Sequence, residues 1–282
     1  MLATGLASAG FDLFQKLLAR SLDPVPMVFL LGVASTPIFA VLVAVDGWPA
    51  ISDGYWWPAL GSTVLNLVGH VAFVQAVRIS PLSVTVPLLS LTPVFTALLA
   101  IPILGEWPGR LGALGVGLVV VGAFWLHAGA NDEPRRWSRL LREPGAWLMI
   151  GTAFAWSLSI PLDKLAVQSS APTFHGLILT AGITLGAGVW LLPGRRILDL
   201  WNRPVIGDVR VFVTTLLLCT AALIFQLLAL TATLASVVET GKRGIANLMA
   251  LLFGRFVFDE PLDVTKWGAA SVMAIGVALI VG

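Results

Sequence analysis

The sequence predicts an all-α membrane protein in which ten transmembrane helices form two inverted five-helix repeats. Hydrophobic residues make up 57% of the chain, charged residues only 11%, and the mean hydropathy is +0.92. This composition excludes an ordinary soluble domain. Apolar stretches of about 20 residues, the length of a membrane-crossing helix, follow one another along the chain. Residues of the first half return in the same order in the second half.

Ten membrane spans are predicted. Prolines stand at many of their starts, and most tryptophans lie near their ends, where the membrane interface favours them. The first span is expected to stay in the membrane rather than be cleaved, because Asp12 and Lys16 interrupt its apolar stretch. The spans are Leu2–Leu18, Val25–Val45, Trp57–Val77, Leu82–Leu104, Gly109–Leu126, Ala146–Val167, Phe174–Leu192, Val211–Leu230, Leu234–Phe258 and Lys266–Val281.

The longest polar link divides the chain into a first repeat (1–128), a linking loop (129–145) and a second repeat (146–282). Residues of the two repeats match at a nearly constant offset. An odd number of helices per repeat turns the second copy upside down in the membrane, which is typical of transporters. The matches are Lys16 with Lys164 and Pro24 with Pro172 at an offset of 148, and Glu106 with Glu260 and Gly122 with Gly276 at an offset of 154.

The arginines predict the orientation. Links after the odd-numbered spans carry ten of them, whereas the opposite face has only Arg110, at a helix edge. By the positive-inside rule, the arginine-rich face is cytoplasmic and both termini lie outside, in the cell (inner) membrane. The ten are Arg20, Arg78, Arg135, Arg136, Arg139, Arg142, Arg195, Arg196, Arg203 and Arg210.

The ninth span, Leu234–Phe258, holds Glu239, Lys242 and Arg243 within five residues. A charge near the bilayer centre costs about 2.5–3.5 kcal/mol even on the lenient insertion scale, so such residues usually face a bundle interior or a water-filled cavity. Helical spacing places Glu239 one turn before both cations. One carboxylate cannot neutralise two cations, and the surplus charge predicts an anion-binding site. The alternatives are an ion network closed by acids of other helices and a helix at the lipid interface.

Other charges at membrane depth gather on the first and sixth spans, apart from Arg255 on the ninth. Lys16 and Lys164 occupy matching positions in the two repeats, so both are candidates to assist anion binding. Each also lies near a helix end and could reach the interface instead. Asp12 stands one turn before Lys16, where an i,i+4 ion pair is possible.

Three residues of the predicted third and sixth spans are candidates to shape a substrate pocket. Asn66 and His70 share one face of the third span, and Trp156 lies away from either interface. Hydrogen bonding between helices and plain packing are the alternatives. Pro87 and Pro93 in the fourth span remove two helical amide donors, which predicts either a hinge or a fixed kink.

The chain resembles the drug/metabolite transporter superfamily, in its ten-helix EamA-type branch. The most specific segment is Ile79–Glu106, and Leu234–Glu260 is its similar second copy. The Lys242–Arg243 pair resembles the phosphate-gripping pair of plastid sugar-phosphate translocators. The resemblance covers nearly the whole chain and implies a transport role and an anionic substrate. It also implies cytoplasmic termini, opposite to what the arginines predict.

The sequence therefore predicts a secondary, alternating-access transporter of a small anionic metabolite that bears a carboxylate or phosphate. Lys242 and Arg243 would bind the anion, with Glu239 releasing one of them when the site is empty. The alternatives are a flippase for a lipid-linked sugar or phospholipid, and an exporter of amino acids or of neutral or cationic solutes.

Other function classes have weaker support. An enzyme is not expected, because no HExxH motif, metal-spaced aspartates or Ser-His-Asp set is present. A receptor or scaffold would have little need of charges at membrane depth. The expected partners are a small-molecule substrate and the lipid bilayer, with no nucleic acid, cofactor or metal. Monomer and homodimer stay open.

Overall fold

The computed structural model describes residues 2–80, 86–128, 143–192, 208–258 and 264–281 and confirms an all-α protein. Within these ranges the chain forms ten α-helices and one short 3-10 helix, Val86–Leu91. The α-helices are α1 (Leu2–Leu18), α2 (Pro24–Asp46), α3 (Trp56–Ile79), α4 (Thr92–Leu104), α5 (Arg110–Ala128), α6 (Pro144–Gln168), α7 (Pro172–Leu191), α8 (Val209–Ala232), α9 (Ala235–Phe258) and α10 (Val264–Val281).

Five of the described helices, α2, α3, α6, α7 and α8, are long and apolar enough to cross a membrane. Three shorter apolar helical stretches, Leu88–Leu104, Arg110–Leu126 and Val264–Ile280, accompany them. The two remaining helices, α1 and α9, carry several of the charges at membrane depth. The chain is thus a multi-pass membrane protein whose charged helices lie among apolar ones.

The fourth predicted span differs from the structure. It was expected as one helix from Leu82 to Leu104, but the chain forms a 3-10 helix up to Leu91 and an α-helix only from Thr92. Pro93 stands at the start of α4, where its missing N–H is tolerated. The backbone therefore changes its helix type beside Pro93. Movement at this point stays a prediction, and the side chain of Pro87 lies outside the described part of the chain.

The helices pack in a regular pattern. α3 packs along α6, and α1 packs along α8; α4 and α9 in turn contact α6 and α1 respectively. α2 lies against α7, and α5 lies against α10. α9 also touches α4, α5 and α10, so the charged segment of the second half lies within the bundle rather than at its edge.

Glycines bring α5 and α10 into backbone contact. A Cβ atom on Gly276 would lie 2.8 Å from the carbonyl oxygen of Gly115, and one on Gly122 would lie 2.9 Å from that of Ala269. Both distances are shorter than real side chains allow, so these positions need glycine. The small residues of the two helices therefore serve a contact inside the chain.

Buried apolar residues form a core toward each end of the bundle. One buried core joins the end of α1, the start of α2, the end of α3 and the start of α6, and includes Leu18, Met27 and Met149. A second joins α4, α6, α8 and α9 and includes Ala100, Leu227 and Val238. The charged and polar groups of α9 lie between these two cores.

Candidate functional site

A cavity of about 150 Å³ lies in the middle of the bundle, between α1, α2, α3, α6, α7, α8 and α9. Its wall includes Lys242 and Arg243 of α9, together with Asn66, His70 and Trp156. The structure thus brings together five of the side chains that the sequence singled out for substrate binding. A cavity of this volume is comparable to one that holds benzene, which suits a small solute.

Glu239 anchors both cations of α9. Its side chain is fully buried, and its two carboxylate oxygens lie 2.5 Å from Lys242 Nζ and 3.1 Å from Arg243 Nε. Lys242 also donates to Gln226 Oε1 of α8 over 2.9 Å. Glu239 therefore supports the site from behind, because it is not part of the cavity wall.

Asp12 of α1 adds a second carboxylate. Its Oδ2 atom lies 3.6 Å from Arg243 Nη1, which is beyond hydrogen-bonding distance. The four groups Asp12, Glu239, Lys242 and Arg243, named the cavity cluster here, have a formal charge of zero. The expected surplus of positive charge is therefore wrong for this cluster. Sequence spacing had suggested Lys16 as the partner of Asp12, but tertiary packing turns Asp12 toward α9.

Trp156 forms the wall opposite the cations. The Arg243 guanidinium lies 5.6 Å from the centre of its ring, close enough for a cation–π contact. His70 meets the ring edge-on at 5.2 Å between centroids and donates from Nδ1 to the Asn66 carbonyl over 2.8 Å. Gly69 makes room for the indole, since a Cβ there would lie 2.6 Å from Trp156 Nε1.

Two polar atoms of the cavity wall lack a partner within the described part of the chain. Trp156 Nε1 is a buried donor and Gln15 Oε1 a buried acceptor. Buried polar atoms are nearly always hydrogen-bonded to protein, water or ligand.

Lys164 lies elsewhere. It is paired with Glu106 and donates to the Thr233 carbonyl over 2.6 Å, while Glu106 Oε2 accepts from the Ala235 amide over 2.8 Å. These four residues are named the Glu106 cluster. The side chains of Lys164 and Glu106 are only 8% and 11% exposed, and neither belongs to the cavity wall. The structure does not bring Lys164 to the cavity.

Lys16 is also away from the cavity. It is exposed near the end of α1, and it is not part of the cavity wall. The side chain of Arg255 lies outside the described residues.

A second buried polar chain lies beside the Glu106 cluster. The His175 ring joins Asp163 Oδ1 at 3.1 Å through Nε2 and the Tyr55 hydroxyl at 3.3 Å through Nδ1. All three side chains are at most 1% exposed. Burial, and then the Asp163 carboxylate, raise the pKa of Tyr55, so its hydroxyl stays a neutral donor. The chain ties the start of α3 to α6 and α7.

Sequence reasoning missed part of the wall. Asp12 was expected beside Lys16 and counted among the acids that could neutralise the cations, but it was not expected in the cavity wall, and Gln15 was not considered. Polar side chains in apolar spans were the available signal. The pairing of Glu106 with Lys164 had no local signal, because 57 residues separate them in the chain.

Comparison with known proteins adds family and fold. Residues 1–127 match the EamA-like transporter family, so the first half of the chain is similar to that family. A solved structure titled "Crystal structure of protein" shares the fold, with a TM-score of 0.72 and 13% identity over 98% of this chain and 95% of that chain. No curated protein matches the chain in sequence.

Proposed function

With an EamA-like transporter unit in residues 1–127 as the premise, we propose that the chain is a secondary transporter of a small metabolite that carries a carboxylate or phosphate. The solute would bind in the central cavity, with its anionic group on Lys242 and Arg243. The observation that supports this proposal is that Arg243 has N–H donors that its two carboxylate neighbours leave unused. Glu239 takes only one of the five N–H donors of Arg243, and Asp12 is too distant for a hydrogen bond.

An anion would compete with Asp12 for the Arg243 guanidinium. Asp12 is the weaker of the two carboxylate contacts of Arg243, at 3.6 Å against 3.1 Å for Glu239. An incoming carboxylate or phosphate would replace Asp12 beside the guanidinium, where two parallel hydrogen bonds are possible. Glu239 would stay in place and keep Lys242 and Arg243 oriented.

Transport would proceed by alternating access between two inverted five-helix repeats. The helix pairing supports this proposal, because exchanging each helix with the one five positions later turns the α1–α8 contact into α6–α3 and the α1–α9 contact into α6–α4. The cavity lies where these pairs meet, as expected for a site at a repeat interface. The arginine distribution supports an inner-membrane orientation with both termini outside.

The test is uptake into proteoliposomes. Thermal stability of the purified protein is first measured with inorganic phosphate, succinate, leucine and putrescine, because ligands of the native state raise its apparent stability. Uptake of the stabilising compound is then measured in K242A and R243A. Both changes are expected to abolish uptake and leave a folded protein.

Matched controls are available for both changes. Lys16→Ala and Arg110→Ala remove the same side-chain types at exposed positions outside the cavity wall, and both should transport normally. Full uptake by K242A and R243A would overturn the proposal.

A solute that carries both charges is the second candidate. Asp12 lines the cavity and is 37% exposed, so it could receive an ammonium group while Arg243 binds a carboxylate. Stabilisation by leucine but not by succinate or phosphate would favour this candidate. The small cavity volume argues against the headgroup of a lipid-linked sugar, which needs more space.

A further inference from the structure

The Glu106 cluster lies between the cavity and the arginine-poor face of the protein. Ile160 belongs to the cavity wall, and Lys164 follows it by one helical turn, about 6 Å along α6 toward that face. Apolar residues of α4, α6, α8 and α9, among them Ala100 and Leu227, surround this region as a buried core. The cluster and its core together block the cavity on this side.

The cluster joins segments that would have to separate if the cavity opened here. Glu106 follows α4, Lys164 is on α6, and Thr233 and Ala235 form the junction of α8 with α9. Glu106 uses both carboxylate oxygens, one for the Lys164 ammonium and one for the Ala235 amide. A solute cannot pass between these helices while the contacts hold.

An ion pair suits a contact that repeatedly opens. Burying two charges costs the free energy of their hydration, and their mutual attraction recovers only part of that cost. When the contact opens to water, both side chains are hydrated again, which offsets the lost attraction. A purely apolar seal has no such compensation, because opening exposes its area to water.

We propose that Glu106 and Lys164 are the gating pair of the transport cycle on the arginine-poor face. This inference rests on the proposed function, because gating presupposes a solute path. Glu106 and Lys164 are in contact in this structure, and they separate whenever the cavity opens toward that face. Lys164 then acts on access to the site and not on the solute itself.

The test uses a reporter that the chain already contains. Cys219, the single cysteine, lines the cavity, so its modification by a charged, membrane-impermeant maleimide measures access. The protein is reconstituted into liposomes with one orientation, and the reagent is added from the arginine-poor face. E106Q and K164M should each label about tenfold faster than the unchanged protein, since losing the pair shifts the equilibrium toward the open state.

Two further variants complete the design. The double variant E106Q/K164M leaves no unpaired charge and has no charges to be hydrated on opening, so it should label more slowly than the unchanged protein. It provides a readout if a single change prevents folding. R78M removes the exposed ion pair with Asp23, at the other face of the bundle, and should label as the unchanged protein does.

Unchanged labelling in folded E106Q, K164M and the double variant would overturn the gating role. The reaction of Cys219 does not depend on which solute is carried. If labelling is unchanged while K242A and R243A lose uptake, only the gating inference fails. If labelling changes as expected while K242A and R243A transport normally, the gating pair stands and the solute assignment fails.

Discussion

The cavity cluster and the Glu106 cluster contain similar chemistry and differ in what it leaves unused. Each includes a lysine and a glutamate with little exposure. In the Glu106 cluster, both carboxylate oxygens are taken, and the lysine bonds a backbone carbonyl as well. In the cavity cluster, Arg243 lies beside an open space and has N–H donors that no described residue accepts from. A charge at membrane depth therefore does not by itself indicate a binding site, and the proposed site rests on the spare hydrogen-bond donors of Arg243 beside a cavity.

The largest expected effect concerns Glu239. Glu239→Gln removes a fully buried carboxylate that two cations share, and removing one partner of a buried ion pair costs about 3–5 kcal/mol. The free energy of unfolding in mixed micelles should fall by about this amount. A compound that binds the cations should restore part of it. A loss below about 1 kcal/mol would show that Glu239 is not the anchor of the cluster.

The Glu106 cluster offers a double-mutant cycle. E106Q and K164M should each destabilise by about 3 kcal/mol, because each leaves one buried charge without its partner. The double variant should lose clearly less than the sum of both, which unfolding of all four proteins would measure. Additive losses would mean that the two side chains do not interact, and the contrast with the cavity cluster would disappear.

Asp12 separates the two solute classes. If the solute is an anion, Asp12→Asn removes its competitor at Arg243, and affinity should rise about tenfold. If the solute also carries an ammonium group, affinity should fall by a similar factor. Titration of the stabilising compound by thermal shift or calorimetry measures the direction. An affinity that does not change would remove Asp12 from the site.

The smallest effect is expected at the exposed ion pair of Arg78 with Asp23. Their side chains are 40% and 67% exposed, and exposed pairs contribute about 0–1 kcal/mol. Arg78→Ala should therefore leave stability and uptake nearly unchanged in the same assays. A loss comparable to that of K164M would show that burial is not what distinguishes the clusters.

Most of the helices could be predicted from the sequence, because length and apolarity alone define membrane spans. Nine of the ten predicted helices agree with the structure within three residues at the described ends. The fourth differs, because the α-helix begins only at Thr92, beside Pro93. The two-repeat organisation stays a prediction.

The site could be predicted only in part from the sequence. Lys242 and Arg243 stand out because charged residues in an apolar helix need a reason, and the structure places both at the cavity. Lys164 stands out equally, but its partner Glu106 is distant in sequence, and only tertiary packing decides which charge is fully occupied. Asp12 was misassigned because local spacing offered Lys16, whereas α1 lies against α9.

The backbone contact between α5 and α10 has a practical consequence. With Gly276 and Gly115 in van der Waals contact, these two helices cannot slide past each other without a clash. Spin labels on their lipid-facing sides, for example at Leu114 and Ile275, should keep one fixed separation throughout the cycle. The distance between α5 and α10 can therefore serve as a fixed internal reference for measuring displacements of the other eight helices.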